Sequence, residues 1–199
     1  MNAKFRVFLA TAIALAAGCA STRVASTQDA FFERLSTLCG RAFAGRVVTD
    51  TPAPAGDDPF SRGPLVMHVR ECRPDVIRIA FHVGDDRSRT WVVTRLPRGL
   101  RLKHDHRHAD GAPDALTMYG GATRDTGSAM RQEFPADDES RAMFVAQGRA
   151  VSVDNTWAME IEPGRVFVYE LTRPARRFRV EFDLSRPVPA PPTPWGARD

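Results

Sequence analysis

The strongest constraint lies in residues 157–184, where apolar side chains recur at every second position and two tight turns interrupt the run. Trp157, Met159 and Ile161 alternate with Ala158, Glu160 and Glu162. Phe167, Tyr169 and Leu171 follow Pro163-Gly164, and Phe178, Val180, Phe182 and Leu184 follow Pro174-Ala175. Successive side chains of a strand point to opposite faces, so the pattern predicts three strands, each with one apolar face, joined as hairpins. Such a sheet is antiparallel, because parallel neighbours need crossovers of a dozen or more residues.

The same period of two runs upstream. It predicts strands over Leu65–Arg70, Ile77–Val83, Trp91–Leu96 and Leu100–His108, with Gly84–Ser88 and Pro97-Arg98-Gly99 as turns. Shorter strands are expected over Leu116–Tyr119 and Met130–Phe134, and Thr51–Pro64 reads as a loop. Two stretches carry helical spacing instead. Ser26–Ala42 has Ser26 and Asp29 at capping-box spacing, with Phe31, Leu35, Leu38, Cys39 and Ala42 on one face. Asp137–Gln147 is closed by Gly148, with Asp137 or Asp138 as cap. The total is about nine strands with short connections. That predicts an all-β fold with minor α: an antiparallel meander forming an up-and-down barrel or strongly curved sheet, the N-terminal helix packed against it. A two-sheet sandwich is the alternative.

The first residues have a different character. Lys4 and Arg6 precede an uncharged apolar run, Val7–Ala17, too short to span a bilayer and suited to a secretory signal. Leu15-Ala-Ala-Gly-Cys19 then resembles the lipobox of bacterial lipoproteins, which implies cleavage before Cys19 and its lipidation; cleavage near Ala20 with Cys19 discarded is the other reading. The resemblance also implies outer-membrane anchoring with the domain facing the periplasm, since Ala20 and Ser21 are not the aspartate of inner-membrane retention. The expected divisions are a signal at 1–18, a lipidated tether at 19–27, one β-rich domain at 28–186 and a proline-rich tail at 187–199.

Export bears on the remaining cysteines. An oxidising compartment favours a Cys39–Cys72 disulfide, for which chain-entropy arithmetic gives roughly 3–4 kcal/mol. Without Lys4 and Arg6 the chain carries 26 basic and 24 acidic groups, interspersed. That is no electrostatic footprint for nucleic acid.

The residues with most chemical potential lie in Leu100–Gly121, which holds three of the five histidines and a Gly-Gly pair read as a turn. As a strand it puts Leu100, Leu102, His104, His106 and His108 on the inward face, and Arg101, Lys103, Asp105 and Arg107 toward solvent. His104 and His106 could share a divalent transition metal such as zinc. His108 is about 13 Å from His104 along a strand, too far for one ion. A ligand site lined by His104, His106, His108, Asp110, Asp114 and Tyr119 is a second possibility. A purely structural hydrogen-bond network is a third. Arg87, Ser88 and Arg89 could hold an anion or simply solvate their turn. Trp91, Trp157, Phe167 and Tyr169 suit either a barrel cavity or a packed core. No Gly-x-Ser-x-Gly elbow, phosphate loop or dinucleotide fingerprint occurs, so whether the protein is an enzyme stays open.

The runs Leu-Lys-His-Asp-His-Arg-His-Ala-Asp-Gly (102–111), Met-Tyr-Gly-Gly (118–121) and Arg-Gln-Glu-Phe-Pro-Ala-Asp (131–137) resemble a family of uncharacterised bacterial exported proteins. That resemblance carries no activity and no catalytic residue. In outline the strand pattern is similar to lipocalin-like barrels, without their N-terminal Gly-x-Trp signature. The expected role is therefore an envelope lipoprotein binding a small ligand or a partner protein in a histidine-lined barrel pocket. The alternatives are a metal- or His/Asp-dependent periplasmic enzyme and a structural envelope protein.

Overall fold

The computed structural model describes residues 26–53, 55–56 and 58–198. Cys19 and the segment read as a signal lie outside the described residues. Ten strands form one antiparallel sheet: β1 (Ala42–Thr51), β2 (Leu65–Cys72), β3 (Val76–Val83), β4 (Asp86–Arg95), β5 (Leu100–His106), β6 (Tyr119–Ala122), β7 (Arg131–Pro135), β8 (Thr156–Glu162), β9 (Val166–Arg173) and β10 (Arg176–Val188). Their order is β6-β5-β4-β3-β2-β1-β10-β9-β8-β7, and β6 returns to the neighbourhood of β7. The result is a nearly closed up-and-down barrel.

β1 is the strand that the alternation did not announce. Its first half, Ala42-Phe43-Ala44-Gly45, is too small to show a periodic apolar face. Gly45 is needed there, because a Cβ would lie 2.5 Å from Cδ1 of Phe182 on β10. β10 also runs further than expected: Pro187 and Val188 still pair with Phe43 and Ala42.

The first helix, α1 (Thr27–Ser36), starts on the expected capping box, with Ser26 Oγ accepting from the Asp29 N–H at 3.0 Å. It stops short of the expected Ala42, in turns that end at Gly40 with φ +76°. Phe31, Phe32 and Leu35 are buried, and the helix packs on β7 and β8 as a plug. Gln28 Nε2 donates to the Asp125 carbonyl at 2.7 Å, and Arg34 to that of Ala129 at 2.6 Å. Arg95, at the end of β4, pairs with Asp29 and Glu33, both at 2.6 Å. A Cys39–Cys72 disulfide fastens the segment after α1 to the end of β2. The plugged end thus gathers the β2–β3, β4–β5, β6–β7 and β8–β9 connections; the other five connections form the mouth.

The remaining gap, between β6 and β7, is closed by side chains and loop backbone. Asp137 N–H donates to the Gly120 carbonyl at 2.9 Å, and Gly120 N–H donates to Ser140 Oγ at 2.8 Å. Asp137 caps α2 (Asp138–Ala146), and Lys103 of β5 pairs with it at 2.8 Å. The Gly-Gly pair is therefore a strand segment at the seam, not a turn. A Cβ on Gly121 would fall 1.8 Å from the Pro135 carbonyl oxygen. Among the described residues no helix is long and apolar enough to cross a membrane.

Because that contact is with backbone, it cannot be relieved by a rotamer change. Gly121→Ala should cost about 3 kcal/mol in urea unfolding. Val151→Ala, at an exposed position, should stay within about 0.5 kcal/mol.

Candidate functional site at the barrel mouth

β5 carries the histidines, and its alternation delivers Leu100, Leu102 and His104 into the interior, each at most 2% exposed. The strand ends at His106, so His108 belongs to the following loop and faces solvent instead of continuing the inward row.

His104 is fully engaged. Its Nδ1 lies 3.1 Å from the Tyr119 carbonyl oxygen, and its Nε2 lies 2.8 Å from Oη of Tyr169. A carbonyl only accepts, so Nδ1 carries the proton and the Tyr169 hydroxyl donates to Nε2. Both nitrogens of the buried His104 ring therefore have a partner. Burial is the main reason that the His104 pKa falls to about 3, with His106 and Lys103 adding repulsion.

The same contacts fill the lumen. β4 and β9 lie on opposite walls, yet Trp91 stacks on Tyr169 at 4.4 Å between centroids. His104 on β5 meets Trp157 on β8 at 4.9 Å, and Phe81 on β3 meets Phe182 on β10 at 5.8 Å. Walls in direct ring contact leave no room between them for a ligand. Of the two readings of the aromatic residues, packed core is the one observed.

His106 occupies the boundary. Its Nε2 is 3.1 Å from Oη of Tyr119, whose ring stacks on His104 at 4.7 Å. Burial pushes the Tyr119 phenol up to about 12 and the His106 imidazole down to about 4. For His106 the largest charge effect is the guanidinium of Arg89, which outweighs each of Asp114, Asp86 and Asp105. Outside His106 opens a cleft of about 600 Å³ between the β3–β4 turn and the β5–β6 loop, walled also by Arg62, Arg107, His108, Asp114 and Trp195. Arg89 pairs with Asp86 at 2.5 Å and lies over the Phe60 ring at 5.6 Å, which holds its fork in place.

The two loop aspartates have local roles. Asp110 Oδ1 accepts from Ala112 N–H at 2.9 Å, an exposed turn-forming bond. Asp114 Oδ1 accepts from Leu116 N–H at 2.7 Å, while Oδ2 is 3.6 Å from His108 Nε2. The loop is thus held by its own backbone and carboxylates. Lys103 and Asp105, expected in solvent, are 7% and 6% exposed. Lys103 is covered by the start of α2 through Asp137 and Glu139, and Asp105 is bound by Arg107 at 2.7 Å and Arg78 at 3.3 Å.

His104 and His106 do not converge on one point, since each turns a ring nitrogen to a different tyrosine group. Among the described residues no three His, Cys, Asp or Glu side chains are grouped to hold a metal ion. The sequence reading missed Tyr169, Arg62 and Trp195 as neighbours of this region. Of the expected ligand-site residues, His106, His108 and Asp114 line the cleft, as do Ser88 and Arg89 of the possible anion holder.

No protein family, no curated protein and no solved structure matches the chain.

His104 is neutral in the folded chain and has an ordinary pKa of 6.5 when unfolded. Its contribution is therefore complete above pH 6.5. It is lost as pH falls toward about 3, at about 1.4 kcal/mol per pH unit. In urea unfolding, His104→Asn should be less stable at neutral pH and show a slope between pH values of about 6 and 4 that is shallower by one proton. Tyr169→Phe leaves the buried imidazole Nε2 without its partner and should cost about 2 kcal/mol.

Proposed function

We propose that this protein is an envelope lipoprotein that binds a small anionic ligand in the mouth cleft, with Arg89 and His106 as its main contacts. The observation that carries the reading is the cleft itself, about 600 Å³ beside a half-buried arginine that is the largest single charge effect at His106. That volume lies within the range of small-molecule sites. Arg89 and His106 stand on strands β4 and β5, so the binding groups are held by the sheet. A carboxylate or phosphate would exchange bulk water for the planar fork of Arg89, with the His106 ring beside it.

Placement in the envelope rests on the leader and on Leu15–Cys19. A lipid on Cys19 would tether the chain at the start of α1, at the plugged end, and the mouth would then face away from the membrane. A packed lumen argues for ligand at the rim instead of the interior site expected from the histidine row.

Titration of ¹⁵N-labelled protein with succinate and with inorganic phosphate, against glucose as a neutral control, tests the reading. At least one anion should shift Arg89, His106 and Tyr119 resonances, and Arg89→Gln should weaken it about tenfold, the loss of one charged hydrogen bond. Shifts confined to the plugged end, or an unchanged affinity in Arg89→Gln, would contradict it.

A further inference from the structure

The segment after β10 is docked, and what lies beneath it is unusual. Val188 pairs with Ala42, and Ala42 pairs on its other side with His68 of β2. The chain then crosses the outer face of the sheet. Thr193 is contacted by Arg70 of β2, at 3.4 Å to its Oγ1, and its carbonyl accepts from Arg87 of β4 at 3.2 Å. Trp195 N–H donates to the Arg87 carbonyl at 3.1 Å, and Arg70 donates to the Arg198 carbonyl at 2.7 Å. Pro194 is buried.

His68 and His82 lie on β2 and β3, along this crossing. They occupy the outward positions that alternate with Met67 and Val69 and with Phe81 and Val83, yet they are only 9% and 3% exposed. His68 Nδ1 and His82 Nε2 have no hydrogen-bond partner. Residues 189–195 carry no charge, and β1 presents Ala42 and Ala44 on this face. The charges that act on the imidazoles are Arg70 from β2, Arg87 and Asp86 from β4, and each other; Asp86 alone favours protonation. Further along, Glu71, Arg78 and Asp105 border the strap near Pro194–Ala197, where Arg78 pairs with both acids. Burial pushes both imidazoles down, His82 to about 4. A proton on either ring would be a buried cation among arginines, and the strap is docked on those same arginines, Arg70 and Arg87.

Trp195 also forms a wall of the mouth cleft, and Gly196 abuts the Arg107 side chain. We propose that residues 189–198 form an acid-released strap, which protonation of His68 and His82 lifts from β2–β4, removing one wall of the cleft. Only the consequence for ligand rests on the function proposed above; release of the strap does not.

Amide hydrogen exchange on the full chain without ligand, corrected for the intrinsic rate, tests this between pH values of about 7.5 and 4.5. The Trp195 and Ala197 amides should lose protection at least tenfold at the acid end while the Phe167 amide keeps its own. The His68→Gln, His82→Gln double variant should keep its strap protected. Strap protection that survives acid in the parent, or that falls at the same pH in both proteins, overturns the proposal. A second measurement does not need the double variant to fold: Trp195→Ala, which loosens the strap, should raise the His82 titration midpoint by about one pH unit, and an unchanged midpoint counts against it.

Discussion

The hydrogen bond between His104 and Tyr169 joins opposite walls of the barrel, and much else follows from it. A barrel of ten strands is wider than one whose side chains fill it unaided. Here the opposite walls are drawn together by large rings, with Trp91, Trp157, Tyr169 and Phe182 meeting across the axis. Tyrosine and tryptophan bring polar atoms into that core, and buried polar atoms cost stability unless paired. The imidazole resolves the problem, because one ring accepts from Tyr169 and donates to the Tyr119 carbonyl. The network sets which tautomer is present, and it puts the reactive end of the histidine row at His106, where the core stops.

The outer face uses charge in the same way. Glu170, 3% exposed on β9, receives Arg131 from β7 and Arg177 and Arg179 from β10. Lys103 and Asp105 are covered by α2 and by arginines. Breaking one member of such a pair would strand a buried charge. The His68 and His82 positions differ: among the described residues neither forms an ion pair and Asp86, acting on His82, alone favours protonation, and on our proposal that is what makes the strap sensitive to protons.

Much of the fold was legible in the residues. The strand reading located eight of the ten strands, missing β1 and placing β6 at Leu116–Tyr119 where it runs Tyr119–Ala122; Ser26 with Asp29 located the start of α1, and the two cysteines were paired by elimination. The inward direction of His104 was also readable from Leu100 and Leu102. Other features depended on segments far apart in the chain. The partner of His104 lies 65 residues away. β1 is masked because Phe182 takes the space that a side chain at Gly45 would need. Lys103 and Asp105 read as solvent-facing because nothing in a strand pattern says that α2 will return over Lys103 or that Arg78 and Arg107 will close on Asp105. The histidines were read as one row, and the end of β5 at His106 divides them into a core residue, a boundary residue and a loop residue.

The central claim is that the lumen is dry and filled, so that binding chemistry belongs to the mouth. Long-range ¹H–¹⁵N correlation of the histidine ring nitrogens tests it directly. The account predicts a single His104 tautomer with its proton on Nδ1, unchanged down to a pH of about 5. An Nε2–H tautomer, or a His104 ring that titrates near its ordinary value of about 6.5, would mean that water reaches the interior and that the lumen is open.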